Sequence, residues 1–410
     1  MSEKRSISVA SEHHPRISRR RFVASTSAAA LSFTVIKPEL VSGDVANSKI
    51  DLGMIGCGSR GTWLAGLFQK HGGYNVVAAA DYFEDRVNRF GDKFSINPAR
   101  RYTGLSCYRK LLEQKLDAVA IESPPYFHPE QAAAAVGAGR HVFLAKPIAV
   151  DVPGCRTIAD SGKKATANKL CFLVDFQTRT DSLYREAVKR VHGGDIGRIF
   201  SGEATYQTGR LRTKGKPGTA EGRLRNWVFD IALSGDIIVE QNIHALDVAT
   251  WILDEDPVRA YGTGGRTVRT DVGDCWDHYA VIYLFPNDVV VSFSSKQCGL
   301  GYDDILCRIY GSEGTIDTHY GGTVNITGRT PYEGGSTGNL YAEGAVRNIA
   351  DFYDNITHGR FSNDTVAPSV RSNLTTILGR VAAYERREVA WDEMMKANEK
   401  MDGRLEGLNG

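Results

Sequence analysis

The chain has 410 residues, of which 42% are hydrophobic and 24% are charged. That length allows two domains with a large core, and the composition is typical of a soluble α/β enzyme. The 50 basic side chains nearly balance the 48 acidic ones, which leaves a formal net charge of +2, so the sequence predicts neither nucleic acid nor a membrane surface as a partner.

The first 49 residues predict an export signal that lies outside the folded domains. Ser18 to Val23 reads S-R-R-R-F-V, the twin-arginine pattern, and the apolar run from Val23 to Ile36 is too short and too mild for a membrane span. This route exports proteins that are already folded, so we expect a periplasmic protein that binds its cofactor before export. The sequence leaves open whether the segment is cleaved or stays as an anchor.

An apolar strand, Ile50 to Gly56, runs directly into a glycine-rich turn and a predicted helix, Thr62 to Lys70. The turn reads Gly56-Cys57-Gly58-Ser59-Arg60-Gly61, and its G-x-G-x-x-G spacing allows a tight turn, a close approach of phosphate to backbone N–H groups and close helix packing. A second strand, Tyr74 to Ala80, ends in Asp81, 20 residues after the third glycine. A carboxylate there can accept hydrogen bonds from the adenosine ribose. These features together predict a dinucleotide site.

Further apolar strands alternate with helices up to residue 176. The strands are Asp117–Ser123, His141–Ala145 and Leu170–Phe176, and the clearest helix is Pro129–Ala138. Apolar strands that alternate with helices indicate a parallel, doubly wound sheet with ligands at the carboxyl ends of its strands. We therefore predict an α/β Rossmann domain over residues 50–176.

After Gln177 the pattern changes to longer strands joined by turns. The predicted strands are Arg198–Thr208, Asp277–Phe285, Val289–Ser295, Ile305–Tyr310 and Gly314–Thr318, and the predicted helices are Ser182–Val191, Ala345–His358, Ser369–Glu385 and Trp391–Lys400. Gly235–Leu253 is amphipathic, and Gly321–Gly344 is predicted to be a long loop. The pattern predicts an α+β domain with an open, mostly antiparallel sheet over residues 177–400, followed by a tail at 401–410.

The seven cysteines form no C-x-x-C pair, and several lie in predicted strands. This favours buried free thiols over a zinc site or a disulfide framework, so no metal is predicted. Export of folded protein is compatible with free thiols, because folding then takes place in a reducing compartment.

Lys146 stands at the end of the predicted strand His141–Ala145 and is followed by Pro147. At the carboxyl end of a parallel strand, its side chain is expected to point into the crevice that holds the nucleotide. Partial burial and a cationic nicotinamide would lower the pKa of this lysine, which could then take or give a proton. A surface lysine without a catalytic role is the alternative.

Glu240, His244 and Asp247 form a second candidate group, because spacings of four and three residues place them on one face of a helix. A carboxylate that orients an imidazole near a substrate hydroxyl can carry acid–base catalysis. A purely structural ion pair would explain the same spacing. No third ligand stands at metal spacing, which argues against zinc.

Taken together, these motifs resemble the Gfo/Idh/MocA family of oxidoreductases over about residues 50 to 395. The matching stretches are the glycine turn at 56–61, Asp81, Ser123-Pro124-Pro125 with His128, Ala145-Lys146-Pro147, Glu240 with His244, Arg308 with Gly311-Ser312-Glu313-Gly314, and Ala390-Trp391-Asp392-Glu393-Met394. The resemblance implies a Rossmann domain, a C-terminal domain with an open sheet, and NAD or NADP between them. It also implies which residues bind the cofactor: the glycine turn, Asp81, Ser123, Pro124, His128 and Lys146.

By position, Lys146 matches the catalytic lysine of the family's Glu-Lys-Pro motif, and His244 matches a histidine four residues after an aspartate. The chain departs from the pattern at both places, because Ala145 replaces the glutamate and Glu240 replaces the aspartate. Our hypothesis is that His244 takes the proton from a secondary hydroxyl, Glu240 orients the imidazole and Lys146 stabilises the alkoxide. The sequence does not decide whether Lys146 or His244 is the base.

Asp81 favours NAD, because it suits a free 2′-hydroxyl and would repel a 2′-phosphate, while Arg60 and Arg86 leave NADP open. Outside the cytoplasm no nicotinamide pool regenerates the cofactor, so we expect it to stay bound through each cycle. Two chemistries meet that condition: oxidoreduction between sugars, and NAD-dependent glycoside hydrolysis by transient oxidation and elimination. A non-catalytic nucleotide-binding sensor is a third alternative, against which Lys146 and His244 both argue.

Substrate specificity is expected in Tyr206–Arg212, Arg223–Trp227 and the loop from Tyr320. The candidates to contact a sugar's hydroxyls or ring face are Arg210, Arg212, Trp227 and Asp247. The predicted substrate is a small carbohydrate, a cyclitol or a derivative, whose identity the sequence does not show. The family resemblance implies a homodimer or a homotetramer.

Overall fold

The structure, a computed structural model, describes residues 49–410. The export signal predicted over residues 1–49, including its arginine pair, therefore lies outside the described residues apart from Lys49. Within the described part of the chain, no helix combines the length and apolarity that a membrane crossing requires. The seven cysteines are all buried and unpaired, as predicted.

Residues 50–175 form an open sheet of parallel strands with helices between them. Among the described residues this sheet has six strands in the order β3-β2-β1-β4-β5-β6, and every neighbouring pair is parallel. The strands are β1 (Ile50–Ile55), β2 (Tyr74–Asp81), β3 (Arg101–Thr103), β4 (Ala118–Ile121), β5 (His141–Ala145) and β6 (Phe172–Asp175). The helices are α1 (Ser59–His71), α2 (Glu84–Lys93), α3 (Cys107–Leu112), α4 (His128–Gly137) and α5 (Val152–Ala167). The predicted doubly wound fold is confirmed.

The second part of the chain builds a mixed sheet in the order β14-β13-β12-β11-β7-β10-β9-β8-β15. Its described strand pairs are antiparallel, except that β7 and β10 run parallel. The strands are β7 (Ile199–Thr208), β8 (Arg259–Gly265), β9 (His278–Phe285), β10 (Val289–Gln297), β11 (Asp304–Gly311), β12 (Gly314–His319), β13 (Thr323–Gly328), β14 (Tyr332–Ser336) and β15 (Val389–Ala390). The predicted open, mostly antiparallel sheet is confirmed.

Helices cover one face of this second sheet and then return to the first domain. They are α6 (Ser182–His192), α7 (Ala220–Arg225), α8 (Ile231–Ser234), α9 (Ile237–Glu240), α10 (Ile243–Leu253), α11 (Leu340–Thr357), α12 (Val366–Glu385) and α13 (Trp391–Ala397). Helix α10 packs on β11 and β7, and α12 packs on β8 and β9. Helix α11 contacts α1 and β6 of the first domain, and α12 contacts α5 and β6 as well as β8 and β9, so α12 joins the two sheets.

Two predictions for the second domain are wrong. The predicted loop Gly321–Gly344 contains β13 and β14 and the start of α11; its short strands alternate buried Val324 and Ile326 with exposed polar residues among many glycines. The segment Gly235–Leu253 is not one helix, because its helical structure stops after Glu240 and resumes at Ile243. This interruption changes which side chains meet at the site.

Candidate active site

The glycine turn joins β1 to α1, and a different physical constraint explains the glycine at each position. Gly56 has a φ of +97°, and a Cβ there would lie 2.5 Å from the backbone carbon of Glu122. A Cβ on Gly61 would lie 1.9 Å from the carbonyl oxygen of Gly56, so helix and strand touch at that point. At Gly58, by contrast, the nearest neighbour within 4 Å is Nη1 of Arg86 at 3.9 Å. The protein therefore leaves the space above Gly58 free for a ligand.

An open cavity lies over this turn. The first domain contributes the loops after β1, β2, β3 and β4, and the second domain contributes Lys214, Leu224 and Trp227. The amino end of α1, with its free backbone N–H groups and positive dipole, faces the turn as a pyrophosphate requires. The shape, the free space above Gly58 and these donors fit a dinucleotide that crosses the carboxyl edge of the parallel sheet.

Asp81 ends β2 and lines the cavity. Its carboxylate accepts hydrogen bonds from the backbone N–H of Cys57 at 2.8 Å and of Phe83 at 3.0 Å, which hold it at the edge of the turn. Burial raises the pKa of Asp81, and the nearby charge of Arg86 opposes that rise. The thiol of Cys57 faces the carbonyl of Ala80 and its N–H donates to Asp81, so this predicted cofactor residue holds the turn in place and does not line the cavity.

The side chain of Arg60 has partners other than the predicted cofactor. Its guanidinium contacts the carboxylates of Glu122, at 3.2 Å, and Asp175, and it donates a hydrogen bond of 2.9 Å to the hydroxyl of Tyr341. Tyr341 belongs to α11, so Arg60 links the ends of β4 and β6 to a helix of the second domain. Arg60 still lines the cavity, but its charge is balanced by protein carboxylates.

Glu122 is a functional candidate that the sequence prediction missed. It follows β4, lines the cavity and is 1% exposed. One carboxylate oxygen faces Arg60, and the other, Oε1, is buried without a hydrogen-bond partner. Burial raises the pKa of Glu122 to about 8, although the charges of Arg60 and Lys146 oppose that rise. The signal was present in the sequence, because a charged residue directly after an apolar parallel strand is the same pattern that identified Asp81.

Lys146 follows β5, next to Glu122 on the neighbouring strand end. Its Nζ donates a hydrogen bond of 2.7 Å to the carbonyl oxygen of Glu240 and lies 3.6 Å from the Glu240 carboxylate. Burial lowers the pKa of Lys146, and the charge of Arg60 lowers it further, while Glu240 and Asp175 raise it. The structure thus holds this lysine in an environment that weakens its proton binding.

The predicted pairing of Glu240 with His244 is corrected. Glu240 ends α9 and His244 lies in α10, so the two residues do not share one helix face, and the Glu240 carboxylate faces Lys146 instead. The sequence could not show this, because the end of β5 and α9 are far apart in the chain and meet only in the folded protein. Glu240 therefore positions Lys146 and does not orient the imidazole of His244.

His244 lies among aromatic side chains. Its ring is 5.3 Å from that of Tyr320 and 6.4 Å from that of Tyr206, centroid to centroid. It is 9% exposed, and its Nδ1 has no hydrogen-bond partner. Burial lowers the pKa of His244 well below its ordinary value, and the charges of Lys146 and Arg60 lower it further. The imidazole is therefore neutral at physiological pH.

The loop after β4 carries the remaining predicted cofactor residues. Ser123 and Pro124 line the cavity, and the Ser123 hydroxyl donates a 2.6 Å hydrogen bond to Gln131. His128 is 1% exposed and contacts the carbonyl oxygens of Ser123 and Pro147, at 2.7 and 2.8 Å. The structure therefore makes His128 a brace between this loop and the Lys146–Pro147 loop, instead of a residue that touches the cofactor.

Comparison with known proteins assigns both domains to one family. Residues 50–172 match the oxidoreductase family with an NAD-binding Rossmann fold, and residues 184–317 match the GFO/IDH/MocA C-terminal domain. The chain belongs to the Gfo/Idh/MocA family of NAD-binding oxidoreductases. Its first domain is accordingly an NAD-binding Rossmann domain, as predicted.

Several relatives in this family resemble the chain over most of its length. Myo-inositol 2-dehydrogenase of Thermotoga maritima is 25% identical over 268 residues, which cover 65% of this chain and 74% of that protein. The crystal structure of myo-inositol 2-dehydrogenase from Lactobacillus plantarum has a TM-score of 0.66 at 21% identity and covers 84% of this chain and 99% of that one. Levoglucosan dehydrogenase in complex with NADH has a TM-score of 0.69 at 20% identity, with the same coverage.

The predicted substrate residues of this family member do not meet at one place. Arg210 is exposed and forms an ion pair with Asp271 at 2.7 Å, and Arg212 is exposed as well. Trp227 lines the cofactor cavity. Asp247 is fully buried and pairs with Arg179, so it stabilises α10 and does not face a ligand. Of the predicted substrate segments, Tyr206 and Tyr320 lie beside the catalytic candidates.

Proposed function

We propose that the protein oxidises a secondary hydroxyl of a sugar, a cyclitol or a related polyol, with NAD as the hydride acceptor. The observation that carries this proposal is the meeting of Lys146, Glu240 and His244 at the carboxyl end of β5, beside the cavity over the glycine turn. The rings of Tyr206 and Tyr320 lie beside His244, and aromatic rings suit a substrate ring that bears hydroxyls, since aromatic faces pack against sugar C–H groups. Relatives named inositol dehydrogenases support the substrate class.

The environment favours Lys146 over His244 as the group that takes the proton. A base is effective when its pKa is near the working pH. Burial lowers the pKa of both groups, which takes that of His244 well below its ordinary value but brings that of Lys146 down from the high ordinary value of a lysine. The neutral imidazole of His244 can instead hydrogen-bond the substrate oxygen. Bound NAD supplies the hydride acceptor and a positive charge that would further favour the neutral lysine.

We further propose that the protein is exported and keeps its cofactor bound. The support is the twin-arginine pattern at Ser18 to Val23, in the part of the chain outside the described residues. Cell fractionation should find the protein in the periplasm, and denaturation of the purified protein should release NAD near one per chain. A cytoplasmic protein purified without NAD would contradict the proposal.

An oligomer is proposed from the face of the second sheet that the helices leave uncovered. This face exposes Tyr261, Ile282 and Val290, of which Tyr261 and Ile282 are direct neighbours across β8 and β9. Exposed apolar side chains on one flat surface indicate a protein contact. Light scattering on the purified protein should show a dimer or tetramer, and Ile282→Glu should lower its mass toward the monomer.

The oxidation itself is tested by single-turnover absorbance. Protein loaded with NAD is mixed with inositols, monosaccharides, anhydrosugars and disaccharides, and enzyme-bound NADH is followed. Reduction of the bound cofactor by a polyol, lost in Lys146→Ala by about 10²–10⁴ in rate, supports the proposal. Release of a sugar or aglycone with no net NADH would favour the hydrolytic alternative, and activity retained within a few-fold in both Lys146→Ala and His244→Ala would contradict the site.

A further inference from the structure

The segment 401–410 contacts both domains and ends at residues that line the cofactor cavity. At its start, the backbone N–H of Met401 donates to the carboxylate of Asp151 at 2.8 Å. At its end, the N–H of Asn409 donates to the Tyr82 hydroxyl at 3.2 Å, and the Asn409 carbonyl accepts from the N–H of Leu105 at 3.1 Å. Tyr82 and Leu105 both line the cavity, after β2 and β3.

Between these ends the segment binds α7, which forms the opposite wall. The guanidinium of Arg223 donates to the carbonyl oxygens of Gly403 and Arg404. Arg404 in turn pairs with Asp274 at 2.9 Å and with Asp230 at 3.4 Å. The segment is thus attached to the first domain at its ends and to the second domain in its middle.

Apolar contacts follow the same route. Leu405 and Leu408 pack against a small cluster of buried side chains that includes Phe83 and Leu224. Five residues of this cluster also line the cofactor cavity: Tyr82, Phe83, Phe127, Leu224 and Trp227. The two leucines therefore support, from outside, the side chains whose other surfaces would touch the cofactor.

We propose that residues 401–410 act as a strap that retains the adenosine half of the cofactor. Asp81 marks that half, because the carboxylate at the end of β2 faces the adenosine ribose in this fold, and Tyr82 and Phe83 come directly after it. The strap holds Leu224 of α7 over this end of the cavity, so the cofactor leaves when the strap detaches. This inference rests on the proposed retention of NAD and gives it a structural cause.

The strap is built to open without unfolding the protein. Its contacts are two partly buried leucines, backbone hydrogen bonds and half-exposed ion pairs, and surface ion pairs contribute little. A segment with few buried contacts opens locally at much lower cost than global unfolding. Its loss should therefore change the dissociation rate of the cofactor more than the stability of the fold.

Gly403 offers a point test of this route. A Cβ at this position would lie 2.5 Å from the ring of Tyr126. The Tyr126 ring packs edge-on against Phe127, so it cannot move aside freely. Gly403→Ala should therefore displace the strap without removing any residue from the cavity wall. Glu406→Ala, at an exposed side chain in the same segment, is the matched control.

The experiment measures the release of NADH from the full-length protein by the loss of its fluorescence after mixing with excess NAD. We expect about tenfold or faster release in Gly403→Ala and in a chain ending at Lys400, with Glu406→Ala unchanged. Release within twofold of the natural chain in Gly403→Ala would overturn the strap, as would an equal acceleration in Glu406→Ala. If the shortened chain fails to fold, Gly403→Ala decides the result. Because no substrate is present, failure here leaves the proposed oxidation to be judged by turnover.

Discussion

The carboxylate of Glu122 lies 3.2 Å from Nε of Arg60, with both side chains beneath the turn that receives the cofactor phosphates. Lys146, at the end of the neighbouring strand β5, also lowers the pKa of this carboxyl group through its positive charge. In this chain Ala145 stands where the family's motif has a glutamate, so the lysine loop lacks its own acid. Glu122, at the end of β4, places a buried carboxyl group beside the lysine in its place.

The first prediction concerns the pH dependence of stability. The unfolded chain releases the proton of Glu122 near pH 4.5, while burial raises the pKa in the folded protein to about 8. Between these values the folded protein binds the extra proton, so this residue lowers stability as the pH rises through the window. Glu122→Gln should remove that contribution. Thermal unfolding of both proteins at pH 5, 6, 7 and 8 should show that the midpoint of Glu122→Gln rises relative to that of the natural protein as the pH rises. A midpoint difference that is the same at every pH would contradict the prediction.

The second prediction concerns the ionisation of Lys146. If the neutral lysine takes the proton, turnover is lost as the pH falls through its pKa. Glu240 raises that pKa through its charge and hydrogen bond, so Glu240→Gln should move the acid limb of the kcat/KM profile to lower pH. Glu333→Gln, at an exposed glutamate with the same change of charge, should leave the profile in place. If the acid limb of Glu240→Gln stays at the same pH or moves to a higher pH, Lys146 is excluded as the group that causes it.

A third prediction separates His244 from the lysine. Its neutral imidazole donates to or accepts from the substrate without changing charge, so His244→Ala should lower turnover by about 10² or more yet keep the acid limb of the pH profile. The affinity for NAD should be unchanged, because His244 does not line the described cofactor cavity. Disappearance of the limb in His244→Ala would identify the histidine as the base and return the mechanism to the original hypothesis.

The sequence predicted the fold and the cofactor half of the site well, because both rest on local patterns. Strand β5 and strand β2 appear at the predicted bounds, since parallel strands buried on both faces read as apolar runs. The glycine spacing and Asp81 are read within about 30 residues of chain, which is the span of one strand–helix–strand unit.

The catalytic half was harder to predict, because its contacts join distant segments. Lys146 meets Glu240 across 94 residues, and Arg60 meets Asp175 across 115. A spacing of four residues suggested that Glu240 faces His244, but the break after α9 gives the carboxylate to the lysine. Periodicity assumes an unbroken helix, and no local signal marks this interruption. Residues 401–410 are likewise predicted only as a tail, because their contacts are with segments that are distant in the sequence.

The fourth prediction concerns the choice between NAD and NADP. Asp81 would repel a 2′-phosphate, but Arg86 lines the same cavity and is attracted to Asp81. Asp81→Ser removes the negative charge, keeps one oxygen to accept from a backbone N–H and leaves Arg86 free to bind phosphate. The ratio of NADP to NAD affinity should rise by about tenfold or more, or about 1.4 kcal/mol. The double variant with Arg86→Ala should lose that gain; a gain that survives would show that Arg86 does not bind the phosphate.

The last prediction uses three glycines of the same turn and helix. Space above Gly58 is open, so Gly58→Ala should fold normally but put a methyl group where the pyrophosphate must approach, with a large loss of NAD affinity at an unchanged unfolding midpoint. Gly61→Ala should instead destabilise the protein itself, because its methyl group would lie 1.9 Å from the Gly56 carbonyl oxygen. Gly66→Ala is the control, since it meets nothing within 4 Å on the same helix and should stabilise slightly, by about 0.4–1 kcal/mol. Calorimetry of NAD binding and of unfolding on all three variants gives both readings. Full NAD affinity in Gly58→Ala would mean that the cofactor does not pass over this turn.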